Sequence, residues 1–125
     1  MEGYNVSIIE SSKELTARER IKYKDTSAAT KLDDAVTPDT SLMLTPDAYM
    51  ILGVHNEKSD NKDYKNYLIV DKAGNAYVTG SESFFTSFLD IWNEMADEDE
   101  EYTVEVYKLE SKNYKGKYFL TCTIV

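Results

Sequence analysis

One stretch of this chain carries the clearest helical repeat, and strand-like runs sit on both sides of it. Over residues 81–96 (SESFFTSFLDIWNEMA), Phe85, Phe88, Leu89, Trp92 and Met95 recur at spacings of three and four, which places them on one face of a helix. Ser81 or Ser83 is available to cap its first turn. The acidic run from Asp97 to Glu101 (DEDEE) ends it, because negative charge at a helix C-terminus opposes the helix dipole. Helical spacing alone accounts for Trp92 and the phenylalanines as core residues.

The flanking runs alternate or are continuously apolar. Residues 45–56 (TPDAYMILGVHN) form a long strand candidate in which Pro46 suits an edge or a strand start. Gly53, inside that apolar run, suggests a bulge or sharp bend. Residues 57–65 (EKSDNKDYK) are polar and read as a loop, residues 66–71 (NYLIVD) as a strand, and residues 76–79 (AYVT) as its return. The turn between those two, Lys72-Ala73-Gly74-Asn75, offers a glycine for positive φ. After the helix, residues 102–109 (YTVEVYKL) and 118–125 (YFLTCTIV) are the last strands.

Upstream, residues 5–10 (NVSIIE) read as a short strand or an ordered arm. Residues 15–24 (LTARERIKYK) are ambiguous, but the tail RERIKYK alternates charge with Ile21 and Tyr23, which suits a strand. Residues 26–40 are rich in Ser, Thr, Ala and Asp and read as a loop with a short ordered piece at residues 30–35.

With 125 residues the chain is expected to form one domain with a core of its own. From residue 45 onward the order is strand, strand, strand, helix, strand, strand. A five-stranded barrel with one helix between its third and fourth strands is the OB-fold pattern, so the expected class is mainly β with one main helix: an OB-like barrel over residues 45–125, preceded by an N-terminal extension with an extra strand over residues 1–44. OB barrels bind oligonucleotides across one face and through the loops after strands one and four. Here those loops are residues 57–65 and 110–117.

Both loops contain lysine and tyrosine: Lys58, Lys62, Tyr64 and Lys65 in the first, Lys112, Tyr114, Lys115 and Lys117 in the second. Residues 107–118 (YKLESKNYKGKY) carry four lysines and three tyrosines on a chain whose formal charge is −9. Lysines can follow phosphates while phenol rings stack on unpaired bases of any sequence. A solvated hairpin tip would also carry lysines; the match of two loops chosen by topology favours binding. Tyr107 begins this segment, and Tyr114, at a loop tip, is free to stack. Tyr49 and His55 share a face if their strand is regular, and Tyr67 in the next strand joins them; simple packing of these rings is the competing account. A second basic zone holds Arg18, Arg20, Lys22 and Lys24 with Tyr23. Tyrosine supplies ten of the fifteen aromatics, which mildly favours recognition over catalysis.

The charge is unevenly spread. Residues 82–101 hold eight acidic and no basic side chains, and without them the net charge of −9 becomes −1. The whole-chain charge argues against tight nonspecific duplex binding. Chemistry finds little support. His55 is the only histidine, Cys122 the only cysteine, and there is no Gly-rich phosphate loop, HExxH or CxxC. A lone histidine is more often a polar surface residue than a metal ligand. No catalytic residue, metal or cofactor is expected. A single cysteine suits a reducing compartment, and neither a signal peptide nor a membrane span is apparent, so a soluble cytoplasmic protein is expected.

From residue 15 onward the chain resembles the small single-stranded DNA-binding proteins of tailed bacteriophages. The matching pieces are the charged run ending IKYK, the turn KAGN with Tyr77 close behind, the helix over residues 81–95, and the ending VEVYKLESKNYKGKYFLTCTIV with Phe119 in its terminal strand. The resemblance implies an OB-like barrel that coats replicating single strands in the bacterial host cell without sequence preference, with Lys115-Gly116 in a loop near DNA. The run from Asp97 to Glu101 departs from that pattern; it lowers affinity or marks a contact with other phage replication proteins. The competing expectation is an acidic phage inhibitor of a host nuclease or defence complex, presenting those carboxylates as a DNA mimic.

Overall fold

A computed structural model describes residues 3–58, 60 and 62–125. Ser59 and Asn61 of the expected loop, and Met1 and Glu2 of the N-terminus, lie outside the described residues. The chain is mainly β with one main helix, and its strands form two sheets. Among the described residues the pairings close no barrel. The chain divides into two compact units, one of Met1–Thr30 with Asp47–Gly80 and the other of Lys31–Pro46 with Ser81–Val125. The segment read as an N-terminal extension is therefore shared between both units.

In the first unit, β1 (Tyr4–Ser11) pairs antiparallel with β4 (Pro46–Asn56), which neighbours β5 (Asp63–Asp71), which pairs with β6 (Ala76–Thr79). The two-residue β2 (Thr30–Lys31) completes the five-stranded sheet at the edge beyond β6. Strand β4 alternates strictly: Ala48, Met50, Leu52 and Val54 are buried, while Tyr49, Ile51, Gly53 and His55 are half-buried on the other side. Ala48, Met50 and Leu52 pack with Leu15, Tyr23, Leu68, Val70 and Val78.

Two expectations for this unit need correction. The bulge suggested at Gly53 does not lie in that glycine's own strand. The irregularity lies across the pair, where the register shifts between Ile8 and Glu10 of β1. A Cβ on Gly53 would stand 2.9 Å from Cδ1 of Ile9, so the glycine makes room for the bulged neighbour. Residues 17–24 are not a strand but α1 (Ala17–Lys24). A capping box decides this: the Glu19 amide donates to Thr16 Oγ1 at 3.2 Å and the Thr16 amide donates to Glu19 Oε1 at 3.0 Å. Lys13 adds an ion pair to Glu19 at 3.4 Å, and backbone hydrogen bonding first, then Lys13, holds the Glu19 carboxyl below its ordinary range.

In the second unit, β3 (Leu42–Leu44) pairs with β7 (Val104–Glu110), which pairs with β8 (Tyr118–Ile124). The helix α3 (Glu82–Met95) is capped by Ser81, whose hydroxyl accepts from the Phe84 amide at 3.2 Å, and packs against β8. Phe84, Phe85 and Phe88 are buried, whereas Leu89, Trp92 and Met95 are only half-buried, so the core face is centred one position earlier than the apolar spacing suggests. The short α2 (Leu32–Ala35) exists because Leu32 and Val36 are fully buried, anchoring the expected ordered piece. On β7 and β8 the inward residues are Val104, Val106, Leu120 and Cys122. Burial pushes the Cys122 thiol up to about 11.

Candidate nucleic-acid interface

The register of β7 and β8 decides which side chains of the final hairpin face solvent. Val106 lies opposite Cys122 on the buried face, so the alternate positions form the outer face. There Tyr107 lies opposite Thr121, and Leu109 lies opposite Phe119. Leu109 is 46% exposed and Phe119 45%. Met43 of β3, paired with Glu105, continues the same face and is also exposed. The outer face of this sheet thus carries three large apolar side chains that nothing among the described residues covers.

The loop beyond is ordered by its own backbone. The Ser111 amide donates to the Lys117 carbonyl at 2.7 Å, and the Lys117 amide to the Tyr114 carbonyl at 3.1 Å. Gly116 takes φ +80°, which the third residue of such a turn needs and which side-chain-bearing residues avoid. Its amide donates to Glu110 Oε2 at 3.3 Å. The loop holds Tyr114 outward at 67% exposure, with Lys112, Lys115 and Lys117 exposed around it. None of these three lysines has an ion-pair partner among the described residues. Tyr107, Lys112, Tyr114, Lys115 and Lys117 thus occupy one hairpin, as their sequence positions imply, and the structure adds Leu109 and Phe119. The missed signal was available: with Leu120 and Cys122 inward, alternation sends Phe119 outward.

The other predicted residues lie in the first unit. His55 is held between two carboxylates, with Nδ1 2.7 Å from Asp63 Oδ1 and Nε2 2.6 Å from Glu57 Oε1. These partners, Asp63 first, raise the His55 pKa, while hydrogen bonds from His55 and then Lys62 hold Glu57 low. Lys62 pairs with Glu57 at 3.2 Å. Among the described residues no His, Cys, Asp and Glu group is arranged to hold a metal ion. Beside His55 a groove of about 310 Å³ runs between β1 and β5, with Gly53 in it and with Asp63, Tyr64 and Lys65 along one side. Lys58 is exposed. Tyr49 is half-buried and donates from its hydroxyl to Glu10 Oε2 at 3.3 Å; burial, then Glu10, raises its pKa.

Two tyrosines do not serve as the sequence suggested. Tyr67 is only 6% exposed and Tyr23 only 9%, so neither ring is available to stack. Tyr67 sits in a stretch of β5 that is buried on both faces, and Tyr23 becomes a core residue once its segment is helical. Lys22 and Lys24 stay exposed on α1, with the Lys22 ammonium 5.8 Å from the Tyr23 ring centroid. Among the described residues no helix is long and apolar enough to cross a membrane. Comparison with protein-family profiles, curated proteins and solved structures finds no match to this chain.

Proposed function

We propose that this chain binds single-stranded DNA without strong sequence preference, on an OB-like frame, and protects it during phage or prophage replication in the host cytoplasm. It acts as a binding protein and not as an enzyme. The observation that carries this reading is the final hairpin: exposed Tyr114, Phe119 and half-buried Tyr107 share it with three lysines that have no ion-pair partner among the described residues. Rings in such a place gain little from burial, and stacking contributes about 1–3 kcal/mol per base. The lysines release counterions from a bound strand, which makes affinity fall with salt.

Titration with an oligo-dT of about 20 nucleotides, followed by intrinsic fluorescence, tests the reading. Quenching that weakens with salt, and a much weaker response to duplex of equal length, is the expected result. No response to oligo-dT, or an equal response to duplex, refutes it. A second reading rests on residues 97–101, whose five acidic side chains are all exposed. As a phosphate mimic that run would engage a basic partner, a host nuclease or defence complex, and neutralising it would abolish function while oligo-dT gave no quenching.

A further inference from the structure

Beside Tyr107, on the outer face of the three-stranded sheet, lies a hollow of about 410 Å³. Its floor includes Glu105, Tyr107 and Thr123, the first and last of which are register partners. One wall is a tight turn that includes Asp39. That turn is closed by two backbone hydrogen bonds, from the Thr37 amide to the Thr40 carbonyl at 3.0 Å and from the Thr40 amide to the Thr37 carbonyl at 3.2 Å. Inside it the Asp39 amide donates to Thr37 Oγ1 at 3.3 Å. At the rim the Lys108 ammonium is tied to the Asp33 carbonyl at 2.8 Å. The hollow is thus walled by a hydrogen-bonded turn and floored by a strand pair, and its volume suits a small planar ligand.

Its chemistry is selective. Tyr107 offers a ring, while Asp39 and Glu105 offer carboxylates that have no ion-pair or side-chain hydrogen-bond partner among the described residues. An ionised carboxylate only accepts hydrogen bonds. Two carboxylates against the one ammonium of Lys108 leave the hollow net negative, which disfavours a phosphate here relative to the lysines of the hairpin tip. The part of a nucleotide that fits is a base carrying an exocyclic amine. We infer that this hollow is a nucleobase subsite for one amino-bearing base of a single strand, stacked on Tyr107, with Asp39 and Glu105 accepting from its amine. The inference rests on the single-strand reading and deepens it: coating is general, but this position favours cytosine, adenine or guanine over thymine or uracil. Carboxylate acceptance from the cytosine amine is an established mode of base readout.

The decisive comparison is oligo-dC against oligo-dU of the same length: cytosine offers a C4 amine with two N–H donors, whereas uracil offers a C4 carbonyl and one N3–H flanked by carbonyls that the two carboxylates repel. Direct titration of the full chain should give oligo-dC about tenfold tighter binding, the discrimination expected of a base-edge hydrogen-bond pair. In the Asp39→Asn, Glu105→Gln variant the ratio should fall to within about twofold, because the amides also donate. A charge effect alone would tighten both oligonucleotides and leave the ratio unchanged, which would overturn the assignment. A second measurement leaves the protein untouched: oligonucleotides of 2-pyrimidinone, cytosine without its amine, should bind like oligo-dU. Equal binding of oligo-dC and oligo-dU by the unaltered chain sinks the inference and leaves the single-strand reading standing. Failure of every oligonucleotide to bind sinks both.

Discussion

Two lysine-bearing loops that look alike in sequence behave differently in the folded chain. The loop between β4 and β5 spends part of its charge on itself: Lys62 is paired to Glu57, and His55 is clasped by Glu57 and Asp63. The loop between β7 and β8 leaves Lys112, Lys115 and Lys117 without carboxylate partners among the described residues and organises itself through backbone hydrogen bonds and a positive-φ glycine. Composition therefore does not reveal whether a cation is available. A lysine that already faces a carboxylate must lose that partner before a phosphate gains anything, whereas an unpaired lysine only exchanges solvent and counterions.

The widest gap between the loops should appear in affinity. Replacing Lys112, Lys115 and Lys117 together with serine is expected to weaken oligo-dT binding by about 30-fold or more at low salt. It should also flatten the slope of log affinity against log salt by about 2, three single-strand phosphates at about 0.7 each. Tyr114→Ala should cost about 5- to 160-fold with the slope unchanged, since stacking and not charge is lost. By contrast, Lys62→Ser should change affinity by less than about twofold, because its charge is already answered by Glu57. A loss as large as that of the tip variants would break the comparison.

Gly116→Ala leaves every lysine in place but asks a side-chain-bearing residue to hold φ +80°, at a cost of about 1–2 kcal/mol. Binding to oligo-dT should weaken as the tip loses its arrangement. Cys122 serves as the control for hairpin integrity. Its thiol is buried and raised to about 11, so thiol reagents should modify it slowly in the folded chain and rapidly in denaturant. A tip variant whose Cys122 reacts fast has opened the hairpin, and its binding loss is then structural.

The smallest effect is the pH dependence of the β4–β5 clasp, in which two groups act with opposite signs. His55 is raised above its ordinary 6.5, so its contribution to stability is complete below 6.5 and is lost as pH rises through the raised value. Glu57 is held below its ordinary 4.5, so its contribution is complete above 4.5 and is lost as pH falls through the lowered value. The clasp is strongest between those ordinary values. In urea unfolding followed across pH, the deficit of His55→Gln should be largest at about pH 5–6 and shrink toward about pH 9. A deficit independent of pH would mean the ring matters only for its shape.

Much of the fold was legible in residue order because some segments obey one repeat without competition. Strand β4 is a continuous apolar run that starts on a proline, the turn before Ala76 carries its glycine, and α3 begins on a serine cap. Residues 17–24 were not legible in the same way, since two local signals conflict there. RERIKYK alternates like a strand, yet Thr16 and Glu19 form a capping box, and the box prevailed because it satisfies backbone amides that a helix start otherwise leaves open. The bulge opposite Gly53 and the short strand Leu42–Leu44 depend on partners distant in sequence, and local pattern is silent about them.

The candidate site divides along the same line. Order of residues alone determined that a lysine- and tyrosine-rich turn would cap the last two strands, because alternation on both sides leaves such a segment nowhere else to go. Only the tertiary structure decided that Tyr67 and Tyr23 are spent on the interior and that Lys62 is already paired. Burial and ion pairing are properties of neighbours brought together from far along the chain, and a tyrosine or a lysine carries the same letter whichever neighbours it meets.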